Sequence, residues 1–343
     1  LQSRTSETAN LPEIFRQGKQ LLAGLVNVGK SMTRLRQPVR QTQGQNGTRA
    51  RHRIVPGRNE GRSAVISKLP GAILRASLVV ILITLPSLVV PQYGSDGLIV
   101  MLLVAFSAAV FVLVEYAALS PSFVEFRSAP PLNRLRFAAF FLCVYVLSLI
   151  GLSGISTNAM ARLVDLVAGH MGEFTDMPFS PVRNFLMVLP DDMPRQQSQL
   201  LREFAGMAYL MSLLMVGIFL VLLQMRRWPK RRESFNVWIN LPRFDPTASG
   251  DVVARLNRDS TVNVILGFLL PFLAPVVLKF MSLLTGPIVL DELHTMIWVV
   301  AIWAFGPASI LMRGIALNRV AALIHKERKR AYKQAVSDGM LPA

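Results

Sequence analysis

The chain is poor in the residues on which most metal and nucleophilic chemistry depends. Its 343 residues include one cysteine, Cys143, and four histidines. A lone cysteine excludes an intramolecular disulfide, a four-cysteine zinc site and a CxxC redox pair. Charge is scarce as well, at 17% of residues against about 25% in soluble globular domains. Carboxylates are the scarcer sign, with 20 acidic residues beside 37 basic ones. Apolar residues fill the gap at 52%, and they stand in blocks, a pattern foreign to an ordinary soluble domain.

Crossing a bilayer core of about 30 Å takes about 20 mostly apolar residues at 1.5 Å each. Six stretches satisfy this: residues 72–90, 98–119, 137–155, 204–225, 262–284 and 296–317. The expected fold is an all-α integral membrane protein with six transmembrane helices and amphipathic interfacial helices. Residues 1–71 form a basic N-terminal segment, 72–317 the membrane domain and 318–343 a basic C-terminal helix.

Charge between the spans alternates in sign. Residues 1–71, 120–136, 226–261 and the tail from Arg313 hold 31 of the 37 basic side chains, whereas 91–97, 156–203 and 285–295 are each net acidic. Lys and Arg hold short loops on the cytoplasmic side during insertion, so both termini are expected in the cytoplasm. The first apolar block starts behind a long basic segment, which suits a signal anchor better than a cleaved leader. A bacterial plasma membrane is the expected location.

Outside the bilayer, Leu11, Ile14, Phe15, Leu22, Leu25 and Val26 recur at helical spacing, with Asn10 and Glu13 as a capping pair. An Arg-rich, core-less and therefore disordered stretch follows. The external loop 156–203 places Met160, Leu163, Val164, Val167 and Met171 on one helical face, then breaks at Pro178, Pro181, Pro190 and Pro194. Its Phe174, Phe179, Phe185, Met187 and Leu189 exceed what a solvated loop needs. The internal loop 226–261 opens on Arg226, Arg227, Lys230, Arg231 and Arg232, and the tail carries Lys326, Arg328, Lys329 and Arg330. Both clusters suit anionic headgroups, each charge contributing about 1 kcal/mol near the surface.

Three motifs invite chemistry. Residues 24–31 spell the phosphate-loop pattern GxxxxGK[ST] through Lys30 and Ser31, but neither the strand before it nor the room for a sheet exists, so it reads as coincidence. Arg75 and Glu115 lie at similar depth in the first two spans, which suggests an intramembrane ion pair. His294 beside Asp291 and Glu292, and His170 near Glu173, lack a third ligand and read as solvated histidines. Pro271, Pro275 and Gly306-Pro307 kink the last two spans, as in some transporters. No catalytic, cofactor or metal site is expected. The expected role is a non-catalytic subunit, scaffold or assembly factor that binds another integral membrane protein, with a transporter using spans 262–284 and 296–317 as the alternative. Nucleic acid is an unsuitable partner, because the basic stretch has neither aromatic interleaving nor a binding fold.

Overall fold

The computed structural model describes residues 58–90, 95–118, 122–127, 130–190, 193–225, 228, 240–245, 250–286, 290 and 292–338. The phosphate-loop pattern, the amphipathic stretch 11–26 and the basic side chains Arg226, Arg227, Lys230, Arg231 and Arg232 lie outside them. Among the described residues the structure is wholly helical. Eight helices follow one another: α1 Arg58–Val89, α2 Ser95–Ala117, α3 Leu132–Ser153, α4 Ala159–Thr175, α5 Pro181–Leu186, α6 Arg195–Met225, α7 Val252–Thr285 and α8 Leu293–Ser337. Six of them, all but α4 and α5, are long and apolar enough to cross a membrane.

Burial ranks the six. The most apolar window of α8 is 56% buried and those of α3 and α6 are 39%, against 11% for α2 and 17% for α7. So α3, α6 and α8 form the centre, where Leu147, Ile150, Phe204, Phe219, Ile297 and Val300 lose all contact with the surroundings. The α1–α2 hairpin and α7 lie at the periphery. Most of the α2 surface, including Leu103, Phe106 and Val114, is exposed, which is how a lipid-facing helix disposes of apolar side chains.

Two glycines let α7 lie directly on α8. A Cβ on Gly267 would stand 2.5 Å from the Leu311 amide nitrogen, and one on Gly314 would stand 2.9 Å from the Ser260 carbonyl oxygen. Small residues permit such approach, and polar side chains then bridge the helices: Ser260 Oγ donates to the Gly314 carbonyl at 2.8 Å. Pro275 has no N–H to give the carbonyl four residues earlier, that of Pro271. Trp303 Nε1 donates to that carbonyl from α8 at 3.2 Å. The group freed by the kink is thus satisfied inside the protein and does not line an opening.

Three helix starts carry side-chain caps. Asn158 Oδ1 accepts from the Met160 and Ala161 amides, Ser180 Oγ from that of Arg183 and Asp251 from that of Ala254. Each supplies an acceptor to amides that have no partner within the helix.

Alternate connections meet at opposite ends of the bundle. At one end, the basic end, the α2–α3 connection joins the α6–α7 connection: the Phe126 amide donates to the Asn240 carbonyl at 2.7 Å, and the Phe126 and Trp228 rings lie 5.9 Å apart. At the other, Gln197 Nε2 donates to the Leu290 carbonyl at 2.8 Å.

Candidate functional site

The matched depth of Arg75 and Glu115 does not bring them together. Arg75 donates to the Gly71 carbonyl one turn back, and its guanidinium lies 4.7 Å from the centre of the Tyr116 ring. Neighbouring residues on a helix point about 100° apart, so a cation that meets residue 116 misses residue 115. Glu115 is buried and turns to the connection after α2, where its carboxylate accepts from the amides of Ser122, Phe123 and Val124 at 3.0–3.2 Å. Arg127 returns to α2 and donates to the carbonyls of Glu115 and Ala118. A carboxylate that gathers turn amides and a guanidinium that covers helix-end carbonyls fix this connection.

The turn so held aims Glu125 at α8. Phe126 adopts a φ of 54°, a left-handed conformation unusual for an aromatic residue, with its ring buried against Trp228. Glu125 then receives Arg313 in a two-pronged ion pair of 2.6 and 2.8 Å, while its carbonyl accepts from Asn133 Nδ2 at 2.7 Å. Arg136, on α3, donates to the carbonyl of Ser309 on α8, and its Nε is buried with no hydrogen-bond partner among the described residues. In the sequence these arginines read only as topology charges. The signal available there was that Arg136 borders one apolar block and Arg313 lies inside another.

Of the tail cations, Lys326, Arg328, Lys329 and Arg330 are all exposed. Arg328 reaches Asp251 at 2.5 Å and Arg330 reaches Glu327 at 3.1 Å. The Arg328 guanidinium beside Asp251 holds its carboxyl below the usual carboxylate range, helped by the Ala254 amide.

At the acidic end, the segment from α4 to α5 is seated on the bundle. Gly172 of α4 meets Gly206 of α6 so closely that a Cβ on Gly206 would stand 2.7 Å from the Gly172 Cα. Phe185 of α5 is buried against Trp303, ring centres 4.7 Å apart. The intervening turn points the other way. Phe179 has a φ of 65° and is 91% exposed, while Asp176 and Arg183 brace the turn with an ion pair of 3.2 Å. Phe174, Met177 and Met187 are exposed around it.

His294 corrects the expectation of a solvated histidine. It is buried at the start of α8, against the backbone of Pro86 and Val90. His170 is exposed, its Nδ1 2.8 Å from the Leu166 carbonyl on its own helix. No group of three His, Cys, Asp or Glu side chains assembles among the described residues. Nearby, Asp165, Gln199 and Glu203 line a cavity of about 640 Å³ between α3, α4, α6 and α8, in which Gln199 donates to Glu203 at 3.1 Å. Comparison with known proteins finds no family model, no curated protein and no solved structure that matches this chain.

Proposed function

We propose that this chain is a non-catalytic subunit, scaffold or assembly factor of a membrane protein complex, and that it holds another integral membrane protein through the turn between α4 and α5. The carrying observation is Phe179. A bulky side chain at positive φ costs of order 1–3 kcal/mol and persists only where its surroundings enforce it. Here the enforcement comes from the Ser180 cap, the Asp176–Arg183 ion pair and the buried Phe185 anchor. That strain buries almost none of the ring, which is the most exposed large apolar side chain among the described residues. Exposed aromatic anchors on a rigid support are what protein interfaces bury at their centre.

The charge alternation supports an outer position for this turn with both termini in the cytoplasm, and on this reading the membrane is a bacterial plasma membrane. Gly206 lies two residues inside the span 204–225, so α4 rests at the outer interface. The exposed tail cations Lys326 and Lys329 face anionic headgroups on the inner side, and Arg328 and Arg330 share that role with their ion-pair partners.

Purification in mild detergent from native membranes tests the proposal. A stoichiometric membrane-protein companion is expected with the wild-type chain, and Phe179→Ser should release it while unfolding of the bundle stays unchanged. A ring that merely rested among headgroups would give the same companion, or the same lack of one, in both preparations, and that result would refute the proposal.

A further inference from the structure

The basic end contains a two-part cavity that neither the topology nor the Phe179 proposal uses. Its polar part, about 530 Å³, is lined by Glu125, Asn133, Arg136, Arg243, Asn263 and Arg313. The apolar part, about 390 Å³, runs between α3 and α8 along Phe137, Phe140, Ile302 and Phe305. Asn133 and Arg136 line both, so the two chambers adjoin. Ile302 is 61% exposed, which opens the apolar chamber to the lipid side of the bundle.

We infer that this cavity binds a membrane lipid with a phosphomonoester headgroup, the phosphate among the arginines and the chain in the groove between α3 and α8. Three guanidinium groups and a single carboxylate, Glu125, line the polar chamber, and Asp259 beside it offsets part of the Arg313 charge, so the described lining carries a positive excess. A phosphomonoester carries about −1.5 to −2 charges at pH 7, opposite in sign to that excess. Arginine forks suit phosphate oxygens in particular, because the planar group donates two parallel hydrogen bonds. Arg313 already gives one such fork to Glu125. Arg136 spends one nitrogen on the Ser309 carbonyl, and its buried Nε lacks a protein acceptor among the described residues. Arg243 is exposed at the mouth with its guanidinium 5.3 Å from the Phe123 ring centre.

Gly306 explains why the groove is open. It lines the apolar chamber, and a Cβ added there would meet no atom within 4 Å. A larger side chain would therefore occupy the groove without disturbing the helices. The proposal stands independently of the outer turn, since its residues lie at the opposite end of the bundle.

Two variants separate the headgroup from the chain. Arg243→Gln removes a cation from the exposed mouth, and Gly306→Leu fills the apolar chamber; neither disturbs a buried contact. The full-length protein, stripped of lipid in non-ionic detergent, is titrated with dioctanoyl phosphatidate, dioctanoyl phosphatidylcholine and inorganic phosphate, with binding read by native mass spectrometry and thermal shift. Wild type is expected to prefer phosphatidate over phosphatidylcholine by at least about tenfold, the scale of one charge-assisted hydrogen bond. Arg243→Gln should weaken both phosphatidate and inorganic phosphate by about tenfold. Gly306→Leu should weaken phosphatidate alone. Equal affinity for the two lipids, or phosphatidate affinity unchanged in either variant, would overturn the inference. Inorganic phosphate bound as tightly as phosphatidate would identify a free-anion site and overturn the assignment to lipid.

Discussion

The tightest approach at any described glycine, that of Gly267 to Leu311, makes the sharpest forecast. In Gly267→Ala the new methyl would stand 2.5 Å from the Leu311 nitrogen and 2.7 Å from its Cα, where ordinary contact begins at 3.4 Å. Both atoms are backbone, so no rotamer change relieves the clash and α7 must move off α8 by about 0.9 Å, the shortfall of 2.5 Å against 3.4 Å. Overpacking of this kind costs about 1–3 kcal/mol. Separation also stretches the Ser260–Gly314 hydrogen bond from 2.8 Å, and interhelical hydrogen bonds in membranes contribute roughly 0.6 kcal/mol. A loss of about 2–3 kcal/mol is expected in detergent unfolding. Gly217→Ala is the control: it also replaces a glycine within an apolar helix, but its Cβ meets nothing within 4 Å, so better helix propensity leaves stability equal or raised. Unfolding followed by circular dichroism with increasing dodecyl sulfate compares the pair. Equal stability of the two variants would refute the close α7–α8 approach.

A reporter fused after Ala343 should be cytoplasmic and one inserted near Asp191 external; protease or thiol labelling in intact cells reads the difference, and an Asp191 site inaccessible from outside would reverse the assigned orientation. Glu115→Ala strips three turn amides of their acceptor and should cost about 2–3 kcal/mol, whereas Arg75→Ala acts elsewhere, so a double-mutant cycle on detergent stability should be additive within about 0.5 kcal/mol; a larger coupling would mean that the two side chains meet after all. The Asp251 carboxyl is held below its ordinary value by Arg328, so its contribution is full above the unfolded value of about 3.9 and is lost as pH falls through the lower folded value. Proteolysis of the α8 tail should therefore accelerate only in that acid range, and Asp251→Asn should abolish the acid step. Lys30→Ala should leave nucleotide binding unchanged from wild type; ATP binding that vanishes in this variant would restore the phosphate-loop reading.

How far the fold was legible follows from what each signal measures. Hydropathy marks where lipid lies, and the six apolar blocks fall on six long helices, with α2 and α3 ending within about two residues of theirs. It does not mark where a helix stops. Helix α8 continues to Ser337, some 20 residues beyond the apolar block; the expected C-terminal helix 318–343 rested instead on helical period, and Leu317, Val320 and Ala321 do keep a buried face while charged residues turn outward. The cap of α7 is local by contrast, since an acidic residue before an apolar-periodic run carries the capping chemistry in its own side chain.

The Arg75–Glu115 expectation and the overlooked cavity share a physical cause. Depth in a membrane is a single coordinate that counting residues supplies, but contact also requires the angle about the helix axis, which the packing of neighbours decides. Arg75 and Glu115 agree in depth and miss in angle. Glu125, Arg136, Arg243 and Arg313 agree in both, yet come from four separate segments; the Glu125–Arg313 partners stand 188 residues apart in the chain. In the sequence the three arginines counted only toward topology, which any lysine or arginine fixes equally well. A side chain that merely fixes topology tolerates exchange of Arg for Lys and displacement by several residues. One that shapes the basic cavity tolerates neither, because a lysine lacks the planar fork and a shift by one residue turns it through about 100°. Arg136→Lys and Arg313→Lys should therefore preserve reporter orientation and lose phosphatidate binding, whereas the same exchange at Arg319, exposed on α8 and outside the lining, should preserve both. Retention of phosphatidate binding by the first two would return these arginines to the role of topology charges.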